Sequence, residues 1–249
     1  GSHNLVLCSD GTLASWGLNI NGQLGNGSYT SHTSPTPVTQ NGILTGMTVV
    51  AIAAGSHHSL ALCSNGTIAA WGDNTFGQLG TGSNSASNVP APVDWSGVLS
   101  NKIVVAIAAS GRHSLALCSD GTLVAWGNNG SGQLGNGSNL ASNVPVLVER
   151  SGALADKTIS AIAAGSLHSL ALCSDGTLAA WGDNAFGQLG NGSNLPSNVP
   201  VVVARNGVLT DKTISTIAAG SHHSLALCSD GALATWGKNS RGQLGDGTI

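Results

Sequence analysis

Two residue types recur in a pattern that could do chemistry. Cys8, Cys63, Cys118, Cys173 and Cys228 stand at a constant interval of 55 residues, and His3, His58, His113, His168 and His223 keep the same interval. An odd, evenly spaced cysteine set raises the possibility of disulfides, and a ring of imidazoles that of metal binding. Geometry argues against both. Each set occupies one equivalent position per repeat, so repetition spreads the atoms apart. A disulfide needs Cα atoms within about 7 Å, and a metal needs ligands that converge on one point. The cysteines are better read as small residues packed in a core. Each histidine is better read as opening a strand and hydrogen-bonding backbone of its own or the next repeat. No metal and no cofactor are expected.

Other chemical signatures are weaker. Gly-Gln-Leu-Gly-Asn-Gly-Ser superficially resembles a phosphate-cradling loop, but such a loop must open a helix, and none follows here. Asn-Gly-Ser/Thr triplets begin at Asn26, Asn65, Asn129, Asn136 and Asn191. They match the glycosylation acceptor pattern and are more simply turn residues. For catalysis there is little material: Glu149 is the single glutamate, and Asp10, Asp120, Asp175 and Asp230 fall on hairpin turns. No constellation occurs once only, as an active site in a repeat protein should. The chain is read as a non-enzyme.

These residues are positioned by a repeated unit. Trp16, Trp71, Trp126, Trp181 and Trp236 also stand 55 apart, as do the Gly-Gln-Leu-Gly runs beginning at Gly22, Gly77, Gly132, Gly187 and Gly242. A period of this kind signals a solenoid, propeller or array. In the second copy, Val49 to Ala54 is an apolar run ended by Gly55, suited to a buried strand. His58 to Cys63 alternates large and small side chains, a second strand. Asn65-Gly66, Asp-Gly in the other copies, predicts a two-residue hairpin turn. Thr67 to Trp71 is the returning strand, a Gly/Asn-rich loop follows, and Val89 to Val93 predicts a fourth strand confined by its prolines to a sheet edge. Central hairpins are expected near 3–17, 58–72, 113–127, 168–182 and 223–237, within one repeat domain spanning 1–249. Such a blade must stack on copies of itself to bury both faces, and radial stacking of four-stranded blades is a β-propeller.

Composition agrees. Of 249 residues, 36 are glycine and 41% are hydrophobic, while only 8% are charged, against roughly 25% in an average globular protein. Short strands joined by tight turns need few long polar side chains. Eight Lys+Arg against eleven Asp+Glu form no basic stripe, so nucleic acid is not an expected partner. No run reaches the 18 or so apolar residues of a membrane span, and no signal-peptide pattern stands at the start. Gly1 to His3 reads either as a tag scar or as the repeat's own His position. Low charge and Ser/Asn/Thr richness suit an extracellular or cell-surface protein of bacterial origin, although free cysteines count against an oxidising compartment.

His-Ser-Leu-Ala-Leu, then Asp-Gly, Trp-Gly, Gly-Gln-Leu-Gly, Pro-x-x-Val and Ala-Ile-Ala-Ala-Gly, taken in that order, resemble the regulator-of-chromosome-condensation repeat across essentially the whole chain. The resemblance implies four-stranded antiparallel propeller blades, usually seven to a ring. Members include a nucleotide exchange factor for a small GTPase and a secreted bacterial inhibitor of β-lactamases, so it implies the fold and leaves the partner open. The chain departs from that pattern: it shows five central hairpins but four inner and four outer strands. About five blades, or an incomplete slice of a seven-bladed ring, are the alternatives. An open arc would expose an apolar face at each end, which predicts self-association as a homo-oligomer.

Where the copies differ, function is expected. Before the repeated His stand His57, Arg112, Leu167 and His222; after Trp-Gly stand Leu18, Asp73, Asn128, Asp183 and Lys238. Slightly further on come Ile20-Asn21, Thr75-Phe76, Gly130-Ser131, Ala185-Phe186 and Ser240-Arg241. Because strands alternate in direction, both loops emerge on the same propeller face. His57, Arg112, Leu167, His222, Phe76, Phe186, Lys238 and Arg241 are the candidate partner-binding residues, since aromatic and Arg side chains dominate interface hot spots and loops on a rigid scaffold carry binding. Drift at unconstrained loop positions is the competing explanation. Trp95, outside the repeat register, reads as an exposed anchor or a lid over a blade edge. The functional expectation is a protein-binding scaffold. A self-assembling structural array and a glycan-binding propeller are the alternatives.

Overall fold

A computed structural model describes all 249 residues. The fold is all-β: five antiparallel sheets of three or four strands. The chain divides into two compact units, residues 1–128 with 141–147, and residues 129–140 with 148–249.

The first unit holds three sheets. Strands β1 (His3–Leu7), β2 (Leu13–Gly17) and β3 (His32–Pro37) form the first. The second is β4 (Val49–Ala54), β5 (His58–Cys63), β6 (Ile68–Gly72) and β7 (Ser87–Pro92). The third is β8 (Val104–Ser110), β9 (His113–Cys118), β10 (Leu123–Gly127) and β11 (Ser142–Leu147). Every strand pairs with its sequence neighbour, so each sheet is an antiparallel meander.

The Leu-Ala-Leu-Cys pattern explains the stacking. Successive strand residues point to opposite faces, so Leu60 and Leu62 lie on one face of their sheet and Ala61 and Cys63 on the other. Leu60, Leu62, Ile68 and Ala70 pack on Ala116, Cys118, Val124 and Trp126 of the third sheet. Ala61, Cys63, Ala69 and Trp71 pack on Leu13 and Val38 of the first. A large-residue face thus meets a face of small residues plus one Trp, and both β5 and β6 are buried along their whole length. Each fully buried leucine contributes roughly 2 kcal/mol. Trp95 packs, half-buried, against the cluster around Leu60 and Leu99.

The second unit repeats the scheme with β12 (Ile159–Ala164), β13 (His168–Cys173), β14 (Leu178–Gly182) and β15 (Ser197–Val202), then β16 (Ile214–Ala219), β17 (His223–Cys228) and β18 (Leu233–Gly237). Leu170, Leu172 and Leu178 pack on Ala226, Cys228 and Ala234.

Two local expectations are corrected. The Asn65-Gly66 hairpin is not a two-residue turn. Gly66 N–H donates to Cys63 O at 2.9 Å and Cys63 N–H to Thr67 O at 2.8 Å. Gly66 has φ +89° while Asn65 keeps a negative φ, so the loop is a type I turn closed by a left-handed glycine. Asn65 uses its side chain instead: Oδ1 accepts the Thr67 N–H at 3.0 Å. The fourth strand also begins two residues before the predicted Val89, at Ser87 opposite Gly72, with an irregularity in register between Ala70 and Gly72.

Candidate functional site

The two variable loops of a blade lie side by side. In the second sheet Asp73 N–H donates to His57 O at 2.8 Å, and in the third Asn128 N–H donates to Arg112 O at 2.8 Å. The second unit repeats this, with Asp183 N–H on Leu167 O at 2.8 Å and Lys238 N–H on His222 O at 2.9 Å. The residue before the repeated His and the residue after Trp-Gly are therefore backbone neighbours.

A buried asparagine shapes the longer loop. Asn74 Oδ1 accepts Leu79 N–H at 2.9 Å, and its Nδ2 donates to Ser83 O at 2.8 Å and Ser85 O at 3.0 Å. Asn19, Asn129 and Asn184 do the same in their blades. One amide thus supplies the ladder that a Gly-rich loop lacks. This register-locked Asn went unremarked in the sequence because asparagine is abundant in all the loops.

Below the loop sits a clasp between blades. Gln78 O accepts both Ser114 Oγ–H and Trp126 Nε1–H, each at 2.9 Å, and Gln23 O accepts from Ser59 and Trp71 in the same way. The repeated histidines complete it: His3 Nε2 lies 2.9 Å from Ser59 Oγ, and His58 Nε2 2.9 Å from Ser114 Oγ. In the second unit His168 meets Ser224 at 2.9 Å. The geometry gives these histidines an architectural role between blades, but the expected backbone partner is corrected to the serine hydroxyl of the next blade. Burial, aided by neighbouring positive charge, lowers the pKa of His3 and His168 to about 4 and that of His58 to about 3. The cysteines are free, and burial raises the thiol pKa of Cys63, Cys118 and Cys173.

On this frame the variable side chains form one cluster in each unit. In the first, the Arg112 guanidinium lies 5.0 Å from the centroid of the Phe76 ring, a cation–π contact across two blades. In the second, Lys238 Nζ lies 4.7 Å from the Phe186 centroid, and the His222 ring meets Phe186 edge-on at 5.5 Å. His222 Nδ1 stands 3.9 Å from Asp183 Oδ2, a charge pair whenever the imidazole is protonated. Phe186 is 45% exposed. Phe76, Arg112, Phe186, His222 and Lys238 are thus brought together in two clusters. His57, Leu167 and Arg241 lie in the same loops outside these ring contacts.

Two residue pairs beneath the rings were missed. Gln78 Oε1 accepts Phe76 N–H at 2.9 Å while its Nε2 donates to Asp73 Oδ2 at 2.8 Å. Gln188 does the same for Phe186 at 2.9 Å and Asp183 at 2.7 Å. Burial alone would raise the Asp73 pKa, but hydrogen bonds from Thr75 and Gln78 and the charge of Arg112 hold it below the ordinary carboxylate value. In blades without this Asp, Gln23 Nε2 and Gln133 Nε2 are buried without a hydrogen-bond partner. A signal existed in the sequence: Asp follows Trp-Gly only in the two copies that carry Phe three positions later.

Charge follows the same division. On the hairpin side Lys102 pairs with Asp120 at 2.6 Å, Lys157 with Asp175 at 2.5 Å, and Lys212 with Asp230. Arg150 and Arg205 donate to the backbone carbonyls of Lys157 and Lys212. The three remaining cations, Arg112 in the first unit and Lys238 and Arg241 in the second, stand in the variable loops without a carboxylate in salt-bridge range.

Known proteins share this architecture. The family model described as RCC1-like domain matches residues 1–249. The human E3 ubiquitin-protein ligase HERC2 is 37% identical over 227 residues, 90% of this chain and 4% of that protein. The ultraviolet-B receptor UVR8 of Arabidopsis thaliana is 34% identical over 246 residues, 99% of this chain and 53% of that protein. The chain therefore spans about half the length of one relative and a small part of the other. Human WBSCR16 superposes with a TM-score of 0.84 at 30% identity, over 98% of this chain and 61% of that one. Prp20p of Saccharomyces cerevisiae, whose structure was reported with its binding properties to Gsp1p and histones, gives 0.81 at 28% identity, over 98% and 57%.

Proposed function

The chain belongs to the RCC1-like domain family, and on that premise we propose that it is a non-enzymatic scaffold that binds a partner protein through its variable loops. The observation that carries this reading is the contrast between frame and display. The His–Ser–Gln–Trp clasp recurs in both units with the same partners. The side chains held above it change from blade to blade and gather Phe, Arg, Lys and His. An exposed Phe186 and a half-buried Phe76, each capped by a cation that has no carboxylate in salt-bridge range, have the composition of interface hot spots, and Gln78 and Gln188 fix the Phe backbone so that little ordering entropy remains to be lost on binding.

Relatives support a binding role: Prp20p is described with Gsp1p and histones, and yeast RCC1 (Prp20) with Kap60 bound. What this chain shares with the ligase HERC2 is 4% of that protein's length, so ligase activity is no part of the proposal.

Capture from an extract of the source organism tests it. Chains carrying Phe76→Ala with Arg112→Ala, and separately Phe186→Ala with Lys238→Ala, are compared with the unmodified chain. Loss of the same captured proteins with either pair supports the reading. Undiminished capture with both pairs overturns it.

A further inference from the structure

The charges of the first unit leave one cation without a counterion. Lys102 and Arg112 are the Lys and Arg residues of that unit, and Lys102 pairs with Asp120 at 2.6 Å on the hairpin side. Arg112 stands exposed on the variable-loop side, its guanidinium making no hydrogen bond within the chain. Its contact is with Phe76, whose ring centroid lies 5.0 Å from the guanidinium carbon. Asp73 is the acid of these loops, and it is spent elsewhere. It is 7% exposed, and its oxygens accept Thr75 N–H at 3.0 Å, Thr75 O–H at 2.6 Å and Gln78 Nε2–H at 2.8 Å.

The guanidinium is also located in advance. At its root, Arg112 O accepts Asn128 N–H at 2.8 Å, and the next residue, His113, opens the fully buried strand β9. At its tip, the Phe76 ring that carries it is half-buried, and Gln78 Oε1 holds the Phe76 N–H at 2.9 Å. Little freedom of a long side chain is left to be lost on binding. A guanidinium presents five N–H donors in a rigid planar fork and no acceptor. A partner that covers Phe76 also covers this fork, and a buried cation left unpaired is strongly destabilising. The partner must therefore bring acceptors, and a carboxylate matches the fork in both charge and geometry, taking two parallel N–H···O bonds. The second unit offers a different arrangement: Lys238, a point charge without a fork, stands over Phe186, and His222 faces Asp183 at 3.9 Å.

We propose that Arg112, seated on Phe76, binds the carboxylate of an Asp or Glu side chain in an acidic segment of the partner protein. The assignment rests on the variable-loop reading and names the chemistry of the partner at that site. Phe76 supplies apolar contact and a platform for the cation, and Arg112 supplies the choice of an acid over its amide.

Selection from a displayed library of random nonapeptides against the 249-residue chain, with the chain carrying Phe76→Ala and Arg112→Ala as counter-target, tests it. Fluorescence anisotropy then compares each selected peptide with the analogue in which its acid is the corresponding amide, on the unmodified, Arg112→Lys and Arg112→Gln chains. The selected peptides are expected to carry an Asp or Glu, and the amide analogue to bind the unmodified chain about tenfold more weakly. On Arg112→Gln the two should agree within about twofold, because the acid has lost the group it couples to. Arg112→Lys, which keeps the charge without the fork, should recover only part of the difference. Phe76→Leu should weaken the acidic peptide about threefold. Equal binding of acid and amide to the unmodified chain, or the same acid-to-amide loss on Arg112→Gln, overturns the proposal and leaves the variable loops as the binding face. A phosphoserine analogue bound more than about tenfold tighter than the acid overturns it in favour of a phosphopeptide. A library that yields no peptide dependent on Phe76 and Arg112 overturns it together with the first unit's part in the variable-loop reading.

Discussion

His58 donates to Ser114 across two blades. Nε2 and Oγ are 2.9 Å apart, and the single hydroxyl proton of Ser114 is already given to Gln78 O. The imidazole proton must therefore sit on Nε2, and Nδ1, buried without a partner, carries none. Fifty-six positions of sequence separate the two residues, yet the contact decides tautomer, charge state and blade spacing at once. Several measurable consequences follow from this contact and its neighbours.

Replacing His58 with Ala removes a fully buried ring and leaves the Ser114 hydroxyl short of a donor. The expected loss is about 2–4 kcal/mol of unfolding free energy, combining a cavity with a broken buried hydrogen bond. Urea denaturation followed by Trp fluorescence measures it. A change below about 0.5 kcal/mol, the scale of an ordinary surface substitution, would remove the clasp from the account.

Acid should unfold the protein through these rings. Their folded-state values, about 3 for His58 and about 4 for His3 and His168, lie below the ordinary 6.5. Between those limits the unfolded chain binds more protons, so stability rises with pH. Their contribution is complete above pH 6.5 and declines by about 1.4 kcal/mol per unit per histidine as pH falls towards 4. Stability measured from pH 7 to pH 4 should fall steeply, and less steeply in His58→Gln. A flat profile would contradict neutral buried imidazoles.

Asp73→Leu, which installs the residue type found at position 18 of the first blade, should free Gln78 Nε2 and slacken the Phe76 backbone. Loss of one buried acceptor predicts about 1–2 kcal/mol of destabilisation. Faster hydrogen exchange at the Phe76 amide, with β5 and β6 amides unaffected, would locate the effect in the loop.

Thiol reactivity should separate the copies. Cys8 is partly exposed, while the other four are buried, Cys118 with a thiol pKa pushed up to about 11 by burial and the nearby Asp120 charge. A disulfide reagent at neutral pH should label one thiol per folded chain, at Cys8, and the remainder only on unfolding. Prompt labelling of all five would refute the packing described for the Leu-Ala-Leu-Cys strands.

Much of the architecture was legible in the sequence because it is local and repeated. Strand alternation, the Asp-Gly turns and the prolines of the outer strands each act within a few residues, and five copies average out the ambiguity of any one. The hairpin turn was misread because Asn-Gly suits two turn types. The choice depends on whether Asn contributes a left-handed φ or an Oδ1 acceptor, and Asn65 contributes the acceptor.

The candidate site was only partly legible. Variation among copies singled out Phe76, Arg112, Phe186, His222 and Lys238, but residues that vary need not touch. Asp73 and Asp183 vary too, and what sets them apart is the Gln amide each one satisfies. That pairing is visible only once the loop has closed on itself.

By itself, then, the sequence determined the 55-residue unit, its strands, and which positions are constant and which vary among the copies, since these follow from the repeat, local conformation and burial period. Only the tertiary structure decided which blade's Arg caps which blade's Phe, and which nitrogen of His58 holds the proton. Those outcomes depend on how one sheet twists and packs on the next. The distances involved are set by side-chain volumes in the shared core, and residue order alone does not encode them.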